Sequence, residues 1–256
     1  MPPPQSGGTW ILDLDGVVWL SDQPIAGSAR AVERLRQAGR PVLFATNNAD
    51  PTIDQLLGRL GRAGIPATVD EIVTSGQASA ALLQPGDRAL ACGGEGLVEA
   101  LTARGVDVVD RGPADAVVVG MTRAFDYDLL TTAALAVRAG ARLIGTNEDP
   151  THPTPAGLFP GSGALIAAVA TAAETPAVMA GKPHPPMAAL LQARAPVIEW
   201  VVGDRPATDG RLARRLGAPF ALVLSGVIAA DHGPLDVDPD EESPDLGELV
   251  SRWIDH

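Results

Sequence analysis

Two carboxylates stand two residues apart near the start of the chain, in Asp13-Leu14-Asp15-Gly16, directly after the apolar run Trp10-Ile11-Leu12. That run has the composition of a short buried strand. Side chains at i and i+2 of a strand point to the same side, so both acids crowd one small volume at its end. Like charges that close repel unless a cation or a shared proton relieves them. Gly16 lets the backbone turn sharply and approach a ligand. Such a corner suits metal-assisted chemistry with one carboxylate as nucleophile and a second as acid/base. A D-x-D-G also opens some calcium loops, but Val17 stands at the third ligand position and a strand precedes the turn, which argues against an EF-hand. Two acids in a solvated turn is the plain structural alternative for these four residues taken alone.

Three further groups offer matching chemistry. Thr46-Asn47-Asn48 brings a hydroxyl and two amides, Gly181-Lys182-Pro183 an ammonium, and Gly203-Asp204-Arg205 with Asp209 more carboxylates. A carboxylate and a phosphate ester repel, so a cation must bridge them. Mg²⁺ prefers an octahedron of oxygens and keeps several waters. Asp13, Asp204 and, in support, Asp209 can supply its carboxylates. A phosphoryl group in transfer carries charge on its equatorial oxygens. Lys182 can neutralise one of these, and Thr46 with adjacent backbone N–H groups can hydrogen-bond others. An aspartyl-phosphate splits one hard step into two, and Asp15 can protonate the leaving oxygen, then deprotonate the attacking water.

These parts are far apart in sequence, so the elements between them must assemble the site. Strands are predicted near 10–12, 42–45, 72–73, 90–92, 106–109, 117–119, 143–144, 177–179, 200–202 and 220–224. Helices are predicted over 29–38, from Asp50-Pro51 to Gly64, and over 77–83, 95–103, 128–139, 164–173, 186–194, 208–216 and 246–254. Ser28 is the expected cap of the first helix. Pro85-Gly86-Asp87 marks a break that opens a βαββαβ-like block, and the Pro- and Gly-rich stretch 151–163 reads as loop. Alternating strands and helices imply an α/β fold with a mainly parallel sheet covered on both faces. Ligands of such sheets collect beyond the carboxyl ends of the strands, and each polar group above falls at one.

The chain has 256 residues, 46% hydrophobic, enough for a large core and a second domain. Residues 231–256 hold nine acids against Arg252 alone, which accounts for most of the net charge of -12. With no basic stripe, a nucleic-acid partner is not expected; the acidic run reads as a solvated linker. Cys92 is the only cysteine, so no internal disulfide can form, and it reads as a small buried apolar residue. Residues 1–4 lack the basic start and apolar stretch of a signal peptide. No apolar run approaches the ~20 residues that span a bilayer, so a cytoplasmic protein without a membrane partner is expected. His152, His184, His232 and His256 form no zinc-spaced set and read as surface or loop residues, His152 being placed to touch substrate. Gly93-Gly94-Glu95-Gly96 lacks the Walker lysine and reads as a tight turn. Arg211, Arg214 and Arg215 read as a solvated helix face, and Arg205 as a residue that pairs with an acid or faces solvent.

Taken in order, Asp13-Leu14-Asp15-Gly16, Thr46-Asn47-Asn48, Lys182 and Gly203-Asp204-Arg205-x-x-Thr208-Asp209 resemble the four motifs of the haloacid dehalogenase (HAD) superfamily. The Asn47-Asn48 pair, the long insert before Lys182, Gly93-Gly94-Glu95-Gly96, Thr146-Asn147 and Ser225-Gly226-Val227 are similar to its NagD-type, p-nitrophenyl phosphatase subgroup. The resemblance implies a Rossmann-like core in two parts, 1–83 and 177–256, with an inserted α/β cap of C2 type over 84–176. It implies Asp13 as nucleophile and Asp15 as acid/base, with the Asp15 backbone carbonyl on Mg²⁺. Asp204 would be the third metal anchor, with Asp209 in support. Thr46 and Lys182 would hold the phosphoryl group, while Asn47, with Asn48 beside it, shapes that site. The substrate would be a small phosphorylated metabolite (a sugar phosphate, glycerol phosphate, phosphoglycolate or pyridoxal phosphate), and the cap would also serve as a homodimer surface. Two departures stand out, Gly210 after Asp209 in place of an apolar residue and Ala49 in place of a common Ser. Alternatives on the same residues are a nucleoside monophosphatase, a phosphomutase or a receiver-like phosphoacceptor. Asp15 and the large insert argue against the last, since a receiver needs neither.

Overall fold

The computed structural model describes residues 7–21, 23–154, 157–228 and 230–254. Residues 1–4, Pro155 and His256 lie outside the described residues. In chain order the elements begin with β1 (Thr9–Leu12), β2 (Trp19–Leu20), β3 (Gln23–Pro24), α1 (Ser28–Gln37), β4 (Val42–Thr46), α2 (Ile53–Arg62) and β5 (Ile72–Thr74). They continue with α3 (Ser75–Ala80), β6 (Arg88–Cys92), α4 (Glu95–Ala103), β7 (Asp107–Val109), β8 (Ala116–Val119), α5 (Tyr127–Arg138) and β9 (Arg142–Gly145). Next come β10 (Thr151–Thr154), β11 (Gly157–Pro160), α6 (Ser162–Ala173), β12 (Val178–Met179) and α7 (Pro185–Arg194). The chain closes with β13 (Ile198–Gly203), α8 (Arg211–Leu216), β14 (Phe220–Val223), β15 (Glu241–Ser243) and α9 (Leu246–Ile254). Two compact units result, one from Met1–Thr46, Asp54–Val73 and Ala188–His256, the other from Asn47–Ile53 and Thr74–Met187.

The first unit is built on a six-stranded sheet of order β15-β14-β13-β1-β4-β5. Strand β1 pairs in parallel with β13 and β4, and β14 lies parallel to β13 and β15. Every residue of β1, β4 and β14 is buried, as expected of strands covered on both faces. Register decides what happens at the tip. Leu12 faces Val202 on one side and Phe44 on the other, so Asp13, Gly203 and Ala45 come next in line. The Asp13 N–H donates to the Val202 carbonyl at 2.9 Å, carrying the ladder one residue past the strand. Below the tip, Trp10, Trp200 and Trp253 pack ring against ring at 6.2 and 5.0 Å. The second unit holds a five-stranded sheet of order β12-β9-β8-β6-β7, all pairs parallel. Helices α5 and α6 cover it with small residues (Ala133, Ala134, Val137, Val169, Ala173) around Cys92 and Val117. The expected α/β architecture with a parallel core sheet and an inserted α/β unit is what the chain adopts.

Several local readings need correction. Ser28 is not a cap: it is the first residue of α1, after Gly27, and its hydroxyl donates to the carbonyls of Val18 and Ile25. The helix expected over 77–83 starts at Ser75, because Thr74 and Gln77 form a reciprocal capping box two residues earlier. The stretch 151–163 is not loop: β10 and β11 form an antiparallel hairpin with His152 opposite Phe159, and α6 begins at Ser162. The short β2–β3 hairpin gave no signal, being two residues a side. Nor is the acidic run a solvated linker. Glu241–Ser243 is the edge strand β15, and Asp236 and Asp240 pair with Arg211 and Arg214 at 2.9 and 2.6 Å. Those two arginines stay exposed, as expected of a solvated helix face, and also anchor the acidic segment. Gly210 leaves its mark too, since Pro206–Gly210 forms a π-helical turn before α8 starts at Arg211.

Candidate active site

At the tip of the core sheet, Asp13, Asp204 and Asp209 each present one carboxylate oxygen, and these oxygens lie within 4.8 Å of one another. The three residues are 8%, 2% and 1% exposed. Asp13 follows β1, and its Oδ1 accepts the Leu14 N–H at 2.7 Å, which fixes the carboxylate's rotamer. Asp204 follows β13, and its Oδ2 accepts the Val227 N–H at 2.9 Å. Asp209 reaches back from the π-helical turn, its Oδ2 accepting from the Arg205 N–H at 3.2 Å and the Thr208 hydroxyl at 3.3 Å. Three acids so close and so shielded from water repel strongly. A donor set made only of carboxylate oxygens fits a hard divalent cation such as Mg²⁺ or Ca²⁺ and does not suit a soft metal.

Asp15 sits beyond these three and is exposed. Its Oδ1 accepts the Trp19 indole N–H at 3.0 Å. Trp19 is 1% exposed, and the Arg59 guanidinium lies 4.1 Å from its ring centroid, a cation–π contact. Gly16 adopts φ +83°, and Asp204 fills the space a Cβ there would take. Thr46 closes β4 at 2% exposure.

Asn47 and Lys182 come together in the second unit. The Asn47 side chain braces the Lys182 peptide twice, accepting its N–H at 2.8 Å and donating to its carbonyl at 3.2 Å. The Asn47 carbonyl accepts from Ser75 Oγ at 2.6 Å and Asn147 Nδ2 at 2.7 Å. Lys182 is 3% exposed. Asn48 is engaged differently from Asn47: its Oδ1 accepts the Asp50 N–H at 3.0 Å and shapes the turn before α2. The glycine run at 93–96 leads into α4, where the Gly96 N–H donates to the Asp50 carbonyl at 2.8 Å. Burial, then Glu95, pushes the Asp50 carboxyl upward against the opposing pull of Arg123 and His152. His184 lies 3.2 Å from Glu148, and His232 3.0 Å from Glu242.

Asp13, Asp204 and Asp209, three of the residues expected from the sequence at a metal, are the ones that cluster, whereas Trp19 was not expected at the site. An indole four residues past Asp15 is a signal only if the intervening turn is known. The Val227 amide had no signal to give, since any residue carries that N–H.

Family models match two stretches, "haloacid dehalogenase-like hydrolase" over residues 10–107 and "HAD-hydrolase-like" over 179–249. A D-glycerol 3-phosphate phosphatase of Mycobacterium tuberculosis is 40% identical over 227 residues, covering 86% of this chain and 64% of that protein. The chain thus spans under two thirds of that relative's length. An acid sugar phosphatase of Staphylococcus aureus is 35% identical over 254 residues, 95% of this chain and 96% of its own. The crystal structure of the Mycobacterium tuberculosis glycerol phosphate phosphatase in complex with magnesium superposes with a TM-score of 0.86 at 38% identity, covering 94% of this chain and 76% of that one.

Proposed function

We propose that this chain, which belongs to the haloacid dehalogenase-like hydrolase family, is a magnesium-dependent phosphatase of small phosphorylated metabolites. The observation that carries the proposal is the convergence of Asp13, Asp204 and Asp209 at the carboxyl end of the core sheet. These three residues would hold Mg²⁺, with the Asp15 carbonyl beside them; the bound ion would offset their charge and let an anionic ester approach. Asp13 attacks phosphorus through the carboxylate oxygen that the cation would leave free, the ester P–O bond breaks, and the alkoxide leaves with a proton from Asp15. The aspartyl-phosphate is then hydrolysed by a water that Asp15 deprotonates, returning Asp13 and releasing phosphate. Thr46 and Lys182 hold the equatorial oxygens through the transfer. Asn47, locked to both sides of the Lys182 peptide, sets where that ammonium starts from. The glycerol phosphate and sugar phosphatases among the relatives make polyol and sugar monophosphates the first substrates to try.

The test is phosphate release from p-nitrophenyl phosphate, glycerol phosphate and sugar phosphates by the native protein and by Asp13→Asn. Loss of the nucleophile is expected to lower kcat by about 10³-fold or more while circular dichroism stays native. An Asp13→Asn protein that keeps most of its activity removes Asp13 from the mechanism.

A further inference from the structure

Beyond the three carboxylates, the loop after β14 reaches the same tip. Leu224 is tied to β15, its N–H donating to the Ser243 carbonyl at 3.0 Å. The next three residues each touch the site from outside it. Ser225 Oγ donates to the Gly16 carbonyl at 2.7 Å. Gly226 faces Asp204 so closely that a Cβ would overlap the Asp204 side chain. The Val227 N–H donates to Asp204 Oδ2 at 2.9 Å.

Gly16, after β1 on the other side of β13, does the same, since its own missing Cβ leaves the volume that Asp204 fills. Asp204 is thus wedged between two glycines on different segments, and Ser225 bonds one of those segments to the other. A carboxylate held this way has one rotamer, and the turn that carries Asp13 and Asp15 cannot drift from it. Groups that orient a ligand's carboxylate change metal affinity about 10- to 100-fold when removed.

We propose that Ser225-Gly226-Val227 is a strap that sets the metal site's geometry, with Ser225 as a positioning residue: its hydroxyl fixes the Gly16 carbonyl, one residue past Asp15, against the segment that holds Asp204. The inference rests on the phosphatase reading of the carboxylate cluster. It extends that reading to residues that would neither ligate the metal nor touch the substrate.

The test is Mg²⁺ binding by isothermal titration calorimetry, with kcat and KM at saturating Mg²⁺, for the native protein, Ser225→Ala and Ser225→Thr. Native protein that binds no Mg²⁺ overturns the cluster reading and the strap with it. If native protein binds, Ser225→Ala is expected to weaken Mg²⁺ affinity by about tenfold. KM should be unchanged, and Ser225→Thr, which keeps the hydroxyl, should restore the affinity. Native affinity in Ser225→Ala overturns the strap alone. So does a thermal midpoint lowered with affinity intact, the mark of a merely structural serine. Gly226→Ala gives a second reading, because the added methyl should displace Asp204 and weaken Mg²⁺ binding at least as much; unchanged affinity there also overturns the strap.

Discussion

At the scale of single residues, Asp15 and Trp19 show how a buried group can steer an exposed one. The indole is nearly inaccessible, yet its N–H meets the carboxylate that is proposed to move protons in both half-reactions. Arg59 over the ring keeps the indole in place. Trp19→Phe would retain most of the packing and remove the hydrogen bond, which is worth about 1 kcal/mol. The expected result is a kcat about threefold to tenfold lower with KM little changed, by the usual conversion of barrier to rate. Steady-state kinetics on p-nitrophenyl phosphate check it, and an unaltered kcat would sever Trp19 from the acid/base. Much at this scale was legible beforehand. Asp13, Thr46, Lys182 and Asp204 each sit just past an apolar run, where strand-end logic finds them. What stayed hidden was the Trp19 indole and two backbone groups, the Val227 amide and the Gly16 carbonyl, whose partners residue type alone does not reveal.

At the scale of elements, the acidic C-terminal segment shows why charge pattern alone misled. A run of acids reads as a linker until its partners are placed; most of these acids are indeed exposed, but Arg211 and Arg214 on α8, distant in sequence, tie Asp236 and Asp240 down. Asp240 is the best anchored. Its partial burial tends to raise the carboxyl, but the Phe220 N–H at 2.8 Å and the Arg214 guanidinium outweigh this and leave it lowered. A carboxyl depressed on folding stabilises the fold above its unfolded pKa, and that contribution is lost as pH falls through the folded value. Asp240→Asn should therefore cost about 1 kcal/mol near pH 7, lowering the thermal midpoint by a few degrees, and much less near pH 3. Melting curves at the two pH values decide it; an equal loss at both would show that charge plays no part. Long periodic elements such as α4 and α9 fell where the sequence placed them. The hairpin at 151–160 did not, because Pro153 within β10 masks the alternation that marks a strand.

For the whole molecule, charge is concentrated at one point among the described residues: three shielded carboxylates converge in a chain of net charge -12. A ligand that binds only the folded state raises stability by mass action. Millimolar Mg²⁺ should raise the melting midpoint by several degrees, EDTA should reverse that and stop turnover together, and NaCl of equal ionic strength should do neither. Differential scanning fluorimetry reads all three, and a midpoint indifferent to Mg²⁺ would contradict the cation bridge. Among the described residues no helix is long and apolar enough to cross a membrane. A practical consequence follows from the chain's one sulfhydryl. Cys92 has no accessible surface, and burial pushes its thiol up to about 12, so it is almost never the thiolate that alkylating dyes attack. The natural protein is thus its own silent background for labelling. A cysteine installed at Tyr127, 80% exposed on α5, would therefore be the site that takes the dye, and a labelling ratio near one would confirm that Cys92 stays silent.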